Sequence, residues 1–145
     1  MAKSLITAEE KPAEPLEVGG LAITVLASEN DTDGYEIFHV NGAKGKGPGS
    51  HYHPWDESLY VVRGQIHCGV GDEEVMATAG TLIHIPAGTV HWFRVQEDGS
   101  EFISTTSKGN ASKMFTDFSQ GLNWESPDRQ ALVEVAARHG QIVVE

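Results

Sequence analysis

The stretch GKGPGSHYHPWDESLYVVRG, residues 45–64, decides the fold. Within it, His51 and His53 are separated by one residue, and Glu57 follows four positions after His53. Because successive side chains of an extended chain point to opposite faces, these three residues share a parity and can face the same way. Pro54 has no N–H group for a strand ladder, so we expect a bend between the histidine pair and Glu57.

A fourth candidate, His91, lies in the segment GTLIHIPAGTVHWFRV, residues 80–95. Three imidazoles and one carboxylate form a ligand set that suits a divalent transition metal and leaves positions for water or substrate. We therefore expect one divalent metal ion in this protein. Its expected ligands are His51, His53, Glu57 and His91.

The glycines and prolines around these residues complete two spaced patterns. The first consists of Gly45, His51, His53, Glu57 and Gly64. The second consists of Gly80, Pro86, Gly88 and His91. Together they resemble the two motifs of the cupin superfamily, with one departure: Val95 stands where the second motif usually ends in Asn. The resemblance implies a cupin jelly-roll barrel in which the four candidate ligands bind one metal ion.

Length, charge and cysteine content bound the class of protein. A chain of 145 residues fits one domain with a real core. The net charge of −11 argues against binding to nucleic acid or to an anionic membrane. Cys68 is the only cysteine, so no disulfide forms within the chain, and a reducing compartment is expected. The first residues lack the apolar core of a signal peptide, so we expect a cytoplasmic protein.

Short strands at regular spacing, separated by turn residues, predict an all-β antiparallel sandwich or barrel. The predicted strands are residues 21–28, 35–41, 57–63, 65–71, 74–79 and 101–108. The predicted organisation is an N-terminal arm over 1–18, the barrel over 19–110, and a C-terminal helical extension over 111–145 that packs on the barrel. The turn expected over 29–34 is rich in Asn and Asp.

Two short helices are predicted in the C-terminal extension. Met114, Phe115 and Phe118 stand at helical spacing before Gly121, and we expect them to pack on the core or to cover the mouth of the barrel. A second helix is expected after Ser126, which we assign as its N-cap. The closing residues 141–145, QIVVE, suit an edge strand or a contact with another subunit.

The remaining histidines receive separate expectations. If residues 86–89 form a hairpin loop, His84 lies opposite His91 and points into the same cavity. His84 is then either hydrogen-bonded to the barrel wall or a catalytic base or additional ligand, and both alternatives stay open. His67 should pair with Tyr60 across a tight turn and point away from the metal. His39 is left unassigned.

Four apolar residues are expected to line the substrate pocket: Trp55, Leu59, Val61 and Phe93. The opposite face of the strand over 57–63 carries Tyr60 and Val62, so both faces of this strand are apolar. A face of this kind needs a cover, and a second subunit is the simplest one. We therefore expect a homodimer that binds a small-molecule substrate.

Two narrower resemblances point to different reactions. HYHP at 51–54 with LYVVRG at 59–64 resembles the small single-domain cupin cyclases of aromatic polyketides, of the resistomycin and tetracenomycin type, which act in antibiotic biosynthesis. This resemblance implies aldol cyclisation of a poly-β-ketone, with zinc as Lewis acid and His84 or Glu57 as base. The C-terminal tail resembles that of quercetinase-like cupins and implies a dioxygenase that uses nickel, iron or manganese. Cyclisation is our first expectation, dioxygenation the alternative, and a non-catalytic binding module the third.

Overall fold

The computed structural model describes residues 4–7 and 13–144. Its strands are β1 (Leu16–Val18), β2 (Leu21–Ala27), β3 (Tyr35–Gly42), β4 (His51–Tyr52), β5 (Glu57–Arg63), β6 (Gln65–Val70), β7 (Glu73–Thr78), β8 (Leu82–Ile85), β9 (His91–Val95), β10 (Ser100–Ser107) and β11 (Ile142–Val143). Its helices are α1 (Glu29–Thr32), α2 (Ala111–Gly121) and α3 (Arg129–Arg138). Within the described ranges, none of these helices has the length and apolarity needed to cross a membrane.

The strands form two antiparallel sheets that face each other across the core. The first sheet has the order β1-β2-β3-β10-β5-β8, and the second has the order β11-β4-β9-β6-β7. This arrangement confirms the predicted all-β class and the cupin jelly-roll sandwich. Each sheet contributes alternate residues to the space between them. Burial therefore alternates along β10, where Phe102, Ser104 and Thr106 face inward.

The glycine-rich loop before β4 aligns the histidine pair with β9. The N–H of Gly45 donates to the carbonyl of Val95 at 2.8 Å, and the N–H of Val95 donates to the carbonyl of Lys46 at 2.7 Å. Gly47 crosses β9 so closely that a Cβ there would lie 2.2 Å from the carbonyl oxygen of Phe93. Its φ of 141° also lies in the region that favours glycine. The backbone of Val95 thus supports this loop although the side chain usual at that position is absent.

Helices α2 and α3 pack on the sandwich. Met114 and Phe118 of α2 are buried in the same core as Phe38, and Phe115 meets Phe38 edge to face at 5.1 Å. Val135 of α3 joins that core. The C-terminal segment then returns to the second sheet, where β11 pairs with β4 as an edge strand.

Two buried or half-buried carboxylates fix the start of α2 to the rest of the fold. Glu36, which is fully buried, accepts the N–H of Ser112 at 2.9 Å and its hydroxyl at 2.5 Å. Glu29 accepts the N–H groups of Gly109 and Asn110 at 3.0 and 2.6 Å. The bonds from Asn110 and Ser112 satisfy donors that the start of a helix leaves unpaired, and the bond from Gly109 holds the residue before the N-cap. The helix that covers the core is therefore positioned by side chains from α1 and β3.

Several details of the fold differ from the sequence prediction. The end of the predicted arm forms strand β1, which pairs with β2, whereas residues 1–3 and 8–12 of that arm lie outside the described residues. The turn over 29–34 contains the short helix α1. The N-cap of α3 is Asp128, which accepts the N–H groups of Gln130 and Ala131, rather than Ser126. Asp128 is closer to the first helical turn, where its carboxylate reaches two unpaired donors.

The two turns that were predicted as hairpins, between β5 and β6 and between β8 and β9, are instead crossovers between the sheets. β5 belongs to the first sheet and β6 to the second, and the same holds for β8 and β9. β8 pairs with β5, and β9 pairs with β4 and β6. Short turns of similar composition serve both purposes, so the turn residues alone did not separate the two topologies.

Candidate metal centre

Four side chains meet in the space between the two sheets. His51 and His91 are directly opposite each other on β4 and β9. His53 follows in the bend at Pro54, and Glu57 begins β5 on the facing sheet. One ring nitrogen from each histidine lies within 4.8 Å of the other two. The structure therefore brings together the residues that the sequence assigned to one site.

A backbone carbonyl fixes the orientation of each imidazole. The Nδ1 atoms of His51, His53 and His91 lie 2.7, 2.9 and 2.8 Å from the carbonyl oxygens of Gly49, Trp55 and Thr89. A carbonyl oxygen only accepts, so each Nδ1 carries the proton and donates it. The Nε2 atoms are then left with lone pairs that point toward the shared space. This is how metal-ligating histidines are commonly held.

Glu57 faces two of these rings. Its Oε1 lies 3.1 Å from Nε2 of His53 and 3.4 Å from Nε2 of His91, and its Oε2 accepts the hydroxyl of Ser104 at 3.0 Å. Burial acts to raise the pKa of Glu57, but a proton shared with the facing rings of His53 and His91 outweighs burial and holds that pKa below its usual range. The carboxylate is therefore ionised at neutral pH.

The donor set fits a divalent metal ion. The Nε2 atom of His91 is buried and has no hydrogen-bond partner among the described residues. Burial, and next the neighbouring His91, lower the pKa of His51 from 6.5 to about 4, so this ring is neutral at pH 7. Neutral imidazole nitrogens facing a carboxylate oxygen repel one another unless a proton or a cation lies between them. A metal ion bound by three imidazoles and one carboxylate meets this requirement.

A cavity of about 590 Å³ adjoins the four residues. Its walls are mainly apolar and come from both sheets and from the helices. They include Ile23, Phe38, Leu59, Phe102, Met114 and Phe118. Sites for small organic ligands commonly have volumes of about 300–1,000 Å³ and walls of this kind. The cavity can therefore hold a ring-containing molecule next to the four polar side chains.

Three of the four predicted pocket residues line this cavity, namely Trp55, Leu59 and Phe93. Trp55 is buried and stacks on the ring of His53, with centroids 4.4 Å apart and an interplanar angle of 9°. The prediction for Val61 is wrong. Val61 faces inward and is fully buried, but it lies two residues beyond Leu59 among core side chains and does not line the cavity.

The predicted role of His84 is also wrong. β8 pairs with β5 rather than with β9, so His84 stands opposite Ser58. Its side chain is exposed on the outer face of the first sheet, where Nδ1 lies 2.9 Å from the hydroxyl oxygen of Ser58. The segment after β8 crosses to the second sheet, and the N–H of Gly88 donates to the carbonyl of His53. His84 is therefore neither a ligand nor a base of this site.

The other two histidines of the barrel lie away from the site. His67 contacts Glu74 at 3.1 Å and the edge of Trp92 on the outer face of the second sheet. Its expected position is confirmed, although it pairs with Met76 and Arg94 rather than with Tyr60. His39 lies 3.6 Å from a carboxylate oxygen of Glu101.

Three cavity residues were missed in the sequence. Ser104 positions Glu57, and Thr106 lines the cavity with a buried hydroxyl that has no hydrogen-bond partner among the described residues. Both side chains face inward from β10, as that of Phe102 does. The signal available in the sequence was the presence of polar residues at the inward-facing positions of this strand. Cys68 also lines the cavity, and burial, with the charge of Glu57, raises the pKa of its thiol to about 11.

Known proteins are similar to this chain in sequence and in fold. Residues 38–103 match the Cupin_2 family, described as "Cupin domain". The chain is 31% identical to quercetin 2,3-dioxygenase of Bacillus subtilis (strain 168) over 100 residues, which are 68% of this chain and 30% of that relative. The chain thus spans less than a third of that relative's length.

Two solved structures illustrate the likeness in fold. KdgF from Halomonas sp. superposes with a TM-score of 0.66 at 22% identity, over 76% of this chain and 99% of the other. The polyketide cyclase RemF from Streptomyces resistomycificus superposes with a TM-score of 0.58 at 20% identity, over 74% of this chain and 80% of the other. At these identities the likeness shows the fold alone.

Proposed function

We propose, from its membership of the cupin superfamily, that this protein is a metal-dependent enzyme that converts an apolar, ring-containing small molecule. The observation that carries the proposal is the meeting of three oriented imidazoles and one carboxylate at the wall of an apolar cavity of about 590 Å³. A metal ion held by His51, His53, His91 and Glu57 would supply Lewis acidity to an oxygen of the bound substrate.

The chain's own residues provide the remaining steps. Glu57 is the one carboxylate in the lining of the described cavity, so it is the group that takes or returns a proton. The hydroxyl of Ser104 holds Oε2 and leaves Oε1 directed at the shared space. The unpaired hydroxyl of Thr106 donates to a substrate oxygen. The apolar side chains of α2 cover the cavity and exclude water from the reacting atoms.

Ring-cleaving dioxygenation is the first candidate reaction, which reverses the order expected from sequence. The relative that matches at 31% identity is a dioxygenase that acts on quercetin, a flavonol. In addition, His84, the expected base for cyclisation, lies outside the cavity. Polyketide cyclisation remains the second candidate because of the HYHP and LYVVRG stretches, with Glu57 as its base. Nickel, iron or manganese would serve the first reaction and zinc the second.

Oxygen consumption separates the two reactions. The purified, metal-loaded protein is mixed with a flavonol in an oxygen electrode and, in parallel, with a polyketide synthase reaction. Oxygen uptake with ring cleavage, lost in Glu57→Gln, supports dioxygenation. An altered cyclisation product without oxygen uptake supports cyclisation. Tight flavonol binding with neither reaction would contradict the proposed enzyme and favour a binding module.

We further propose that the protein acts as a homodimer in a reducing compartment such as the cytoplasm. The dimer is supported by the exposed apolar side chains on the outer face of the first sheet, and the compartment by the unpaired Cys68. The partner in catalysis is a small molecule rather than nucleic acid, since the net charge is −11.

A further inference from the structure

The charge of the cavity lining differs from that of the whole chain. Asp and Glu outnumber Lys and Arg by 21 to 10 in the sequence. In the lining of the described cavity, the one carboxylate is Glu57, which faces the histidines, whereas Lys46 and Arg129 are both present. Both of these cationic residues are exposed, while the histidines are buried, so the cations mark the solvent side of the cavity.

The position of Lys46 is set by packing. Its carbonyl accepts the N–H of Val95 at 2.7 Å, which fixes its backbone beside β9. Its side chain lies across the turn at Gly20, where an added Cβ would be 2.5 Å from Cγ and 2.8 Å from Cδ. Gly20 itself lines the cavity. The alkyl chain of Lys46 is therefore packed along the solvent side of the cavity, which we call the rim. Its ammonium group remains exposed, as is common for lysine.

Arg129 reaches the same cavity from the helical side. It is the first residue of α3, directly after the N-cap Asp128. Among the described residues, neither Arg129 nor Lys46 has a carboxylate within 4.0 Å, whereas Arg63 and Lys108 each contact an acidic partner. Both cations thus line the solvent side of the same cavity without an acidic partner among the described residues. In an acidic protein, cations placed in this way attract an anionic group and steer it to the cavity.

We propose that the ligand of this cavity is an apolar ring compound that carries a carboxylate, bound with the carboxylate at the rim beside Lys46 and Arg129. The ring system lies on the apolar walls, and the end bearing the reacting oxygen faces the three histidines and Thr106. The proposal rests on the proposed function for the identity of the reacting end, but the recognition of the anionic end depends only on the rim.

Two fluorescent probes with the same rings test the rim directly. 1-Anilinonaphthalene-8-sulfonate is anionic, and N-phenyl-1-naphthylamine is its neutral counterpart. The variants are Lys46→Met and Arg129→Met, which keep most of the apolar stem. Lys44→Met is the matched control, because Lys44 is an exposed lysine of the same loop that does not line the cavity. Leu82→Glu removes the exposed apolar side chain of β8 as an alternative probe site.

The wild-type protein should bind the sulfonate more tightly than the neutral probe, and added salt should narrow the difference. Lys46→Met and Arg129→Met should each weaken sulfonate binding by about two- to fivefold and leave the neutral probe unchanged. Lys44→Met and Leu82→Glu should resemble the wild type. 2-Naphthoate should compete with the sulfonate better than 2-naphthalenemethanol does, which identifies carboxylate as an acceptable anion.

Equal sulfonate binding in the wild type and both rim variants would overturn the proposal. So would an equal loss of both probes, which indicates packing rather than charge, or the absence of probe binding. The measurements are repeated after metal removal by a chelator. If the protein binds no metal or converts no substrate, the proposed function is refuted. If the ratio of sulfonate affinity to neutral-probe affinity is unchanged in that same protein, the rim proposal still stands.

Discussion

Nε2 of His53 lies 3.1 Å from Oε1 of Glu57, while Nδ1 of the same ring donates its proton to the carbonyl of Trp55. The ring has no second proton unless it is charged, so the pair needs a proton or a cation between its atoms. The same condition holds at His91, whose buried Nε2 lies 3.4 Å from that oxygen. This relationship, rather than the presence of histidines alone, gives the site its affinity for positive charge.

Acid should destabilise the metal-free protein through His51. Burial lowers its pKa from 6.5 to about 4, so between these values the unfolded chain binds the proton and the folded chain does not. Stability therefore rises with pH over this window, is full above about pH 6.5, and is lower by about 3 kcal/mol near pH 4. Glu57 adds to this loss of stability in acid. Because its pKa is lowered in the folded protein, protonation below the usual pKa range of a glutamate also favours the unfolded chain.

Urea unfolding of the chelator-treated protein at several pH values checks this dependence. The variant His51→Gln is the comparison, since it removes the titrating ring. A free energy of unfolding that is constant from pH 7 to pH 4 would contradict the assigned environment of His51. A slope of equal size in His51→Gln would assign the dependence to other groups.

Substitution of His84 should have little effect. His84→Ala should leave metal content unchanged and activity within about twofold, because its exposed ring lies outside the cavity, where it hydrogen-bonds with Ser58. Glu57→Gln should lower both metal content and activity. Metal analysis and turnover of the two variants side by side provide the measurement. Loss of metal in His84→Ala would restore the role that the sequence suggested.

Glu36→Gln should destabilise the docking of α2. The carboxylate of Glu36 is fully buried and accepts three hydrogen bonds, from Glu29 and twice from Ser112. An amide would direct an N–H₂ group at these donors, at a cost of about 2–4 kcal/mol. Glu125→Gln, at an exposed position, is the control. Equal denaturation midpoints for the two variants would contradict the anchoring of α2 by Glu36.

A dimer should form through the outer face of the first sheet. Tyr60 and Leu82 are adjacent partners on β5 and β8 and are 46% and 64% exposed. Leu82→Glu should weaken the dimer by at least about tenfold, whereas Met76→Glu, on the second sheet, should not. Sedimentation equilibrium at micromolar concentration measures both. A monomeric wild-type protein, or equal effects of the two variants, would reject this interface.

The strands and the four converging residues could be predicted because their signals are local. The parity of His51 and His53, the bend at Pro54 and the spacing to Glu57 are read within one segment. His91 joined them through the resemblance of its own segment to the second cupin motif. Strand alternation and motif spacing thus determine most of the site before any long-range pairing is known.

The position of His84 could not be predicted because it depends on strand pairing. A four-residue turn after Ile85 suits a hairpin, but the chain crosses to the other sheet, and β8 pairs with β5. The rim residues Lys46 and Arg129 were missed for a related reason. They are 83 residues apart in the numbering, and only the folding of α3 over the barrel brings both to one cavity.

Metal content measured by elemental analysis tests the central claim most directly. The wild-type protein, purified with a divalent metal in the buffer and then dialysed, should contain one ion per chain, and His53→Ala and His91→Ala should each lose at least about tenfold in affinity. His67→Ala, outside the site, should match the wild type. A wild-type protein that retains no metal, or equal metal content in all four proteins, would contradict a metal centre built from these residues.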